Sequence, residues 1–337
     1  MPKSRAALLT RRGVLTAGSA LCLGAVLVGC GSGSADDKGG AWSFKDDRGQ
    51  TASTKGTPKN VVAFVGTAAA LHDFGVEVKG VFGPTKTADG KADIQAGSLD
   101  VNKVEILGNA FGKFNIEKYA ALKPDLLVSN VWEKDTLWYV PEESKDKIGK
   151  LAPSVGLFSG PDTTMPKAIA RNAELAEALG ADLKSKKTTE AKARFEKASE
   201  RLRQVARANP GIKVLIGSGD PDHFYVSVPD KAADTKYYKE LGVEFVEPQN
   251  PDAAGFFEPL SWENAGKYQA DLIILDNRTG TLQDKDLRAG KPTWAGLPAV
   301  KANQVAPRFA EPIFSYDACA KLLEDLAATL EKAKKTS

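Results

Sequence analysis

Short runs of consecutive apolar residues alternate with helix-period segments along most of this chain, and the alternation lapses once. Val61-Val62-Ala63-Phe64-Val65 is one such run, with the length and composition of a strand buried on both faces. Gly66-Thr67 and a helix over Ala68–Phe74, stopped by Gly75, follow it. Strands at Val78–Phe82 and Val104–Leu107, a helix over Asn115–Leu122 and a strand at Asp125–Ser129 continue the pattern. Between Thr164 and Ala208 strand signals vanish. Phe195, Ala198, Leu202 and Val205 recur there at helical spacing, with Lys and Glu on the other face. Gly180 divides that stretch into two helices and Asn209-Pro210-Gly211 ends it. Alternation resumes with Lys213–Gly217, a helix near Thr235–Leu241, a strand at Val243–Val246, a helix from Ser261 and a strand at Asp271–Leu275.

This order predicts an α/β fold of two lobes with mainly parallel sheets, joined by a long helix. A body of roughly 300 residues also exceeds what a single core usually serves. The expected divisions are an N-terminal lobe over 58–160, the interlobe helix over 161–208 and a C-terminal lobe over 209–337. Residues 30–57 read as a flexible tether, rich in Gly, Ser, Asp, Lys and Thr, that ends in an edge strand and a turn at Ala41–Thr57. The folded body is expected to begin at Val61. An internal echo supports two similar lobes: Asn115-Ile116-Glu117 leads to Asp125 and its strand, and Ser261-Trp262-Glu263 leads to Asp271 and its strand. In both, Glu and Asp are eight residues apart, and Glu falls in the first turn of a helix opened by an N-cap residue type.

Residues 1–29 read as an export leader. Lys3, Arg5, Arg11 and Arg12 precede an apolar run from Val14 to Val28, which is shorter than the ~20 residues of a membrane-spanning helix. Leu27-Val28-Gly29-Cys30 resembles a bacterial lipobox, which implies cleavage before Cys30 and a diacylglycerol on its thiol. Thr10-Arg11-Arg12-Gly13-Val14-Leu15 resembles a twin-arginine signal, with general export as the alternative. The expected location is the outer face of the cytoplasmic membrane. The formal charge of +3 includes those four basic residues and no acid of the leader, so the processed chain is near −1. No clustered basic face for nucleic acid is present. Cys22 leaves with the leader, Cys30 is the lipid site, and Cys319 is left as a buried helix position without a disulfide partner.

The motifs together are similar to the type III substrate-binding proteins of ABC importers, the siderophore- and cobalamin-binding group. The resemblance rests on Lys59-Asn60-Val61-Val62-Ala63 with Leu71-His72-Asp73-Phe74-Gly75-Val76, and on Leu122-Lys123-Pro124-Asp125-Leu126-Leu127-Val128. It continues through Leu151-Ala152-Pro153-Ser154-Val155, Leu260-Ser261-Trp262-Glu263 and the run from Trp294 to Val305. It implies a rigid interlobe helix and a shallow cleft between the lobes. It also implies a single copy that delivers solute to a permease dimer with its ATPase subunits, docking through one Glu per lobe at positions matching Glu117 and Glu263. Those two residues also suit plain support of helix N-termini.

Ligand chemistry is expected where strands end toward the crevice. Thr67 and Asn130 are candidates, with Gly83, Ser218 and Asn277 beside the other strand ends. Arg278 and Arg308 follow strands of the second lobe and suit an oxygen-rich metal complex, or else sit in salt bridges. Trp132, Trp138 and Tyr139 offer rings with polar tips to a bulky ligand, or else pack on their own lobe. Tyr225 and Tyr316 complete the candidates. His72 and His223 are the only histidines, too few for a His-rich site for free metal. A ferric siderophore brings its own ligands, so scarce histidine suits it, and no further cofactor is expected. Hydroxamate or mixed chelates fit better than a highly anionic tricatecholate, which would call for more basic groups. Haem or a corrinoid is the alternative cargo. Gly-x-Ser-x-Gly, P-loop and His-Glu-x-x-His signatures are absent, so an enzyme is not expected. A lipid-anchored hydrolase using His223 with Asp220 or Asp222, or a structural adhesin, are the minor readings.

Overall fold

The computed structural model describes residues 40–133 and 135–336. The leader, the lipobox-like end, Cys30 and the start of the tether lie outside the described residues. The first element is a hairpin of β1 (Trp42–Lys45) and β2 (Thr51–Thr54), a two-stranded sheet of its own rather than an edge of a larger one. Trp42, Phe44 and Ala52 are buried in the main core, and the Trp42 indole donates to the Ala178 carbonyl at 2.7 Å. The folded body therefore starts at Trp42, not at Val61.

The first lobe contains β3 (Val61–Phe64), α1 (Val65–Asp73), β4 (Gly80–Phe82), β5 (Glu105–Gly108), α2 (Ile116–Ala121), β6 (Leu126–Val131), α3 (Lys145–Gly149) and β7 (Ser154–Phe158). Its five strands pair in parallel in the order β5-β4-β3-β6-β7. The strandless stretch folds as α4 (Met165–Ala178) and α5 (Lys186–Ala208). Gly180 separates them with φ of +100°, the left-handed conformation that ends helices and that glycine adopts without strain.

The second lobe contains β8 (Lys213–Gly219), β9 (His223–Ser227), α6 (Ala233–Glu240), β10 (Glu244–Phe245), β11 (Phe257–Ser261), β12 (Leu272–Asp276), α7 (Asp284–Gly290), α8 (Pro292–Gly296), α9 (Pro298–Lys301), β13 (Val305–Arg308) and α10 (Tyr316–Lys332). Its sheet runs β11-β9-β8-β12-β13, with β10 beside the start of β8. β8, β10, β12 and β13 pair in parallel, while β9 is antiparallel to β8 and β11 is antiparallel to β9. Gly217-Ser218-Gly219 is accordingly the end of a strand and not a loop after one. Gly219 pairs with Phe224 across a tight turn.

Alternate residues of the apolar strands serve different cores, as a period of two requires. Val61 and Ala63 of β3, Leu126 and Val128 of β6, Val214 and Ile216 of β8, and Leu272 and Ile274 of β12 share one core with Leu71, Ile169, Leu202 and Leu323 of the helices. Val62, Phe64 and Leu127 face an outer core of the first lobe. Leu215, Ile273 and Leu275 face an outer core of the second. One core therefore runs through both lobes. A motion that parted them would expose apolar surface at about 25 cal/mol per Å², which opposes hinge opening.

The internal echo survives in the strand entries more than in the helices. Asp125 Oδ2 accepts the backbone N–H groups of Lys59 and Asn60, each at 2.9 Å. Asp271 Oδ2 accepts the N–H of Lys213 at 2.9 Å, and its Oδ1 that of Thr336 at 2.7 Å. Each Asp precedes the strand that pairs with the one entered at Asn60 or Lys213, β6 with β3 and β12 with β8. Asn115 caps α2 by accepting the Lys118 N–H at 2.9 Å. The helix expected from Ser261 is only a 3-10 turn over Trp262–Asn264. Ser261 Oγ is taken by the Asn264 amide at 3.1 Å, and the Trp262 indole is tied to the Asp220 carbonyl at 3.1 Å, which holds the segment against the sheet. Asp271→Ala is expected to cost about 1.5–3 kcal/mol by stranding these donors. Urea unfolding measures it, and a loss under ~0.5 kcal/mol, the usual surface range, would mean that water replaces the carboxylate.

Candidate functional site

β6, β12 and β13 present their carboxyl ends to the same crevice, and a cavity of about 220 Å³ lies where they meet. Trp132, directly after β6, and Trp138 line it from the first lobe; Arg278, Arg308 and Glu311 line it from the second.

The first-lobe wall is aromatic. Trp132 and Trp138 meet edge to face at 6.4 Å, and Trp138 and Tyr139 at 5.5 Å. Tyr139 rests on Phe64 at 5.3 Å, with a left-handed φ of +62° that costs backbone strain and is held by this packing. Burial, then the nearby Glu311 charge, push its phenol up to about 12. Phe111, exposed on the loop after β5, covers Trp138 at 5.6 Å and Tyr139 at 5.2 Å. Gly160 secures the position of Trp132: a Cβ there would stand 2.5 Å from the Trp132 carbonyl oxygen. The Trp132 indole N–H is buried and has no partner among the described residues.

The second-lobe wall is ionic, and both arginines are in salt bridges while lining the cavity. Arg308 grips Asp234 through Nη2 at 2.9 and 2.8 Å and Nε at 3.2 Å, and Asp234 is 1% exposed. Arg278 pairs with Asp276 at 2.7 Å and also with Glu311. Burial works to raise the Asp276 carboxyl, but hydrogen bonds and charge from Arg278 hold it below the ordinary range. Burial raises the Glu311 carboxyl, with Arg278 and the Trp138 indole only partly offsetting it. Glu311 Oε2 accepts the Trp138 indole N–H at 3.2 Å, joining the two lobes across the crevice. Two guanidiniums thus face three carboxylates, so neither arginine keeps an uncompensated charge.

Several expected residues lie elsewhere. Thr67 and Asn130 are 1% and 3% exposed and bond to each other at 2.8 Å, because α1 starts at Val65 and β6 extends to Val131, leaving no loop at either. Tyr225 donates to Asp220 at 2.8 Å and is outside the cavity lining. Tyr316 opens α10 and packs on Phe74 at 5.8 Å and Phe195 at 6.0 Å, beside a depression at the far end of α1. His72 contacts Glu77 at 3.0 Å, and His223 starts β9 with its ring half exposed. Neither lines the cavity. Cys319 is fully buried, and burial pushes its thiol well up. Glu117 and Glu263 are exposed, and neither is in an ion pair among the described residues. Glu263's carboxyl is lowered by its own backbone N–H and by Ser261.

Sequence reasoning missed Glu311, Asp276, Asp234 and Phe111. Asp276-Asn277-Arg278 at a strand end and a lone Phe between glycines were readable signals; Glu311 had none, because its role depends on where Trp138 arrives.

The family profile described as "periplasmic binding protein" matches residues 63–307. No curated protein sequence matches. Among solved structures, the chain is similar to DesE of Streptomyces coelicolor, titled a ferric-siderophore receptor protein. Identity is 56%, coverage 88% of this chain and 100% of that one, and the TM-score 0.84. It also shares its fold with PiuA of Streptococcus pneumoniae, an iron uptake ABC transporter substrate-binding protein, at 20% identity, 85% and 97% coverage and a TM-score of 0.64. Staphylococcus aureus SirA, solved with staphyloferrin B, gives 23% identity, 87% and 99% coverage and a TM-score of 0.60.

Proposed function

The chain belongs to the periplasmic binding protein family, and from that premise we propose that it captures a ferric siderophore and hands it to the permease of an ABC importer. The observation that carries this reading is the interlobe cavity with the buried indole N–H of Trp132, which has no partner among the described residues. Buried donors are almost always satisfied, so this one suits a ligand oxygen. The similarity to DesE supports the cargo class.

The cavity favours a neutral ferric chelate, of hydroxamate or mixed type. Its guanidiniums are already neutralised, so a highly anionic tricatecholate would be desolvated without compensation. At about 220 Å³ it falls below the ~300–1,000 Å³ of enclosed small-molecule sites, so it seats one face of a chelate. Trp132 and Trp138 supply flat apolar surface. Arg308, with Nε and Nη2 on Asp234, keeps Nη1 for a chelate oxygen. The chelator fills the iron coordination sphere, so capture needs no bond-making by the protein. Among the described residues no His or Tyr lines the cavity, Tyr139 standing behind Trp138, which disfavours axial ligation of haem. In this reading Cys30 carries the lipid anchor on the outer face of the cytoplasmic membrane. Glu117 and Glu263 dock on the permease dimer, whose ATPase subunits drive import.

Intrinsic fluorescence of the protein lacking leader and lipid, titrated with ferric hydroxamates, ferric catecholates, haemin and cobalamin, tests the reading. Saturable quenching by a ferric hydroxamate is expected, with Trp132 and Trp138 as reporters. Saturation by haemin or cobalamin alone would replace the cargo, and silence throughout would overturn the function. Trp132→Phe keeps a ring and removes the N–H, and is expected to weaken capture by about tenfold, the scale of one hydrogen bond. Unchanged affinity would mean that this donor does not meet the ligand.

A further inference from the structure

We propose that Glu311 sets the charge preference of the cavity, admitting neutral or cationic ferric chelates and turning away anionic ones. The inference rests on the ferric-chelate reading above. Glu311 lies three residues beyond the end of β13, and its side chain is 3% exposed against the cavity. Its two oxygens are divided between the lobes: Oε2 accepts the Trp138 indole N–H and Oε1 meets the Arg278 guanidinium. Both partners are pure donors. Both oxygens therefore act as acceptors, the pairing of the ionised form, and the rise that burial imposes is opposed by the Arg278 charge.

Glu311 is not required to neutralise either arginine. Asp276 engages Arg278 through both Nε and Nη2, and Asp234 engages Arg308 through Nε and Nη2. Both aspartates are 2% exposed or less. Glu311 is therefore a third carboxylate against two guanidiniums. Among the described residues the remaining charged side chains of the lining are Lys231 and the exposed Glu133, which offset one another, with the Lys231 ammonium held over the Phe256 ring at 5.6 Å. One negative charge is left on the wall that a chelate must approach. Burying a surplus charge opposes stability, whereas repelling the wrong ligand is one of the two routes to discrimination.

The test compares wild type, Glu311→Gln and Glu311→Asp by fluorescence titration with ferric trihydroxamates, ferrichrome among them, and with ferric enterobactin, a trianionic tricatecholate. Glu311→Gln removes the charge and keeps the shape and one acceptor oxygen, and Glu311→Asp keeps the charge. Thermal midpoints confirm that each variant is folded. The ratio of trihydroxamate to tricatecholate affinity is expected to fall about tenfold or more in Glu311→Gln, the scale of one unit charge at partly buried separations. In Glu311→Asp it is expected to stay near wild type. An equal change for both chelates in Glu311→Gln would make Glu311 a positioning residue for Trp138 and overturn the inference alone. A wild type that prefers the tricatecholate overturns the inference but leaves ferric-chelate capture standing. A wild type that binds neither chelate removes the reading beneath it as well.

Discussion

Arg308→Ala is expected to lower the unfolding free energy by about 3–5 kcal/mol, the cost of leaving a buried charge without its partner. Asp234 is 1% exposed, and the guanidinium meets both of its oxygens. With that group gone, the carboxylate must remain buried and uncompensated, take up a proton, or draw water into the contact between α6 and β13. Arg308→Met with Asp234→Leu removes both charges and is expected to recover most of the loss, since an apolar pair of similar volume often matches a buried ion pair. Urea unfolding of the two variants measures the difference. A loss under ~1 kcal/mol for Arg308→Ala, the value of an exposed pair, would show that Asp234 is hydrated and that the pair acts as a surface bridge. The result governs how ligand experiments on this residue are read, because an alanine here weakens capture through the scaffold before any lost contact is counted.

The division of labour between sequence and tertiary structure is visible at particular positions. Runs such as Val61–Phe64 and Leu272–Asp276 were readable because strands buried on both faces have no polar alternation to confuse. The α4–α5 break was readable because Gly180 stands where helical spacing fails. The β1–β2 hairpin was readable only in part, as one edge strand and a turn, since Trp42-Ser43-Phe44 is too short a pattern to show the second strand or its packing on the core. The antiparallel β9 was hidden for a different reason: Gly217-Ser218-Gly219 resembles a loop by composition and becomes strand only because Phe224 and Tyr225 pair with it. The rule that ligands meet strand ends pointed to Trp132, Trp138, Arg278 and Arg308, which line one cavity. The same rule misplaced Thr67, because a helix follows β3 with no intervening loop, and Asn130, because β6 runs on to Val131. Tyr316 was misplaced because a helix start gives no clue to which end of the molecule it occupies.

Replacing Glu117 and Glu263 together by alanine is expected to reduce uptake of the iron chelate by cells to background, while the purified protein keeps its affinity and its fold. Both side chains are exposed, lie in the first turn of their segments and are free of ion pairs among the described residues. They occupy corresponding places in the two lobes, ahead of Asp125 and Asp271, which perform the same task at β6 and β12. A permease built from two similar subunits related by a two-fold axis would offer equivalent patches to one acid from each lobe. The competing explanation is local support of the first turn, worth about 0.3–1 kcal/mol per residue. That cost falls on stability, is too small to empty the folded population, and cannot remove transport while binding persists. Radio-iron uptake in cells that carry only the variant, set beside fluorescence titration of the same variant, separates the two. Uptake that persists at wild-type rate returns both residues to helix support. Loss of uptake and affinity together would place the defect in the cavity. Loss of uptake alone, repeated with Glu117→Gln and Glu263→Gln, assigns the effect to charge rather than to side-chain bulk, since glutamine preserves the size and the hydrogen-bonding reach of each position.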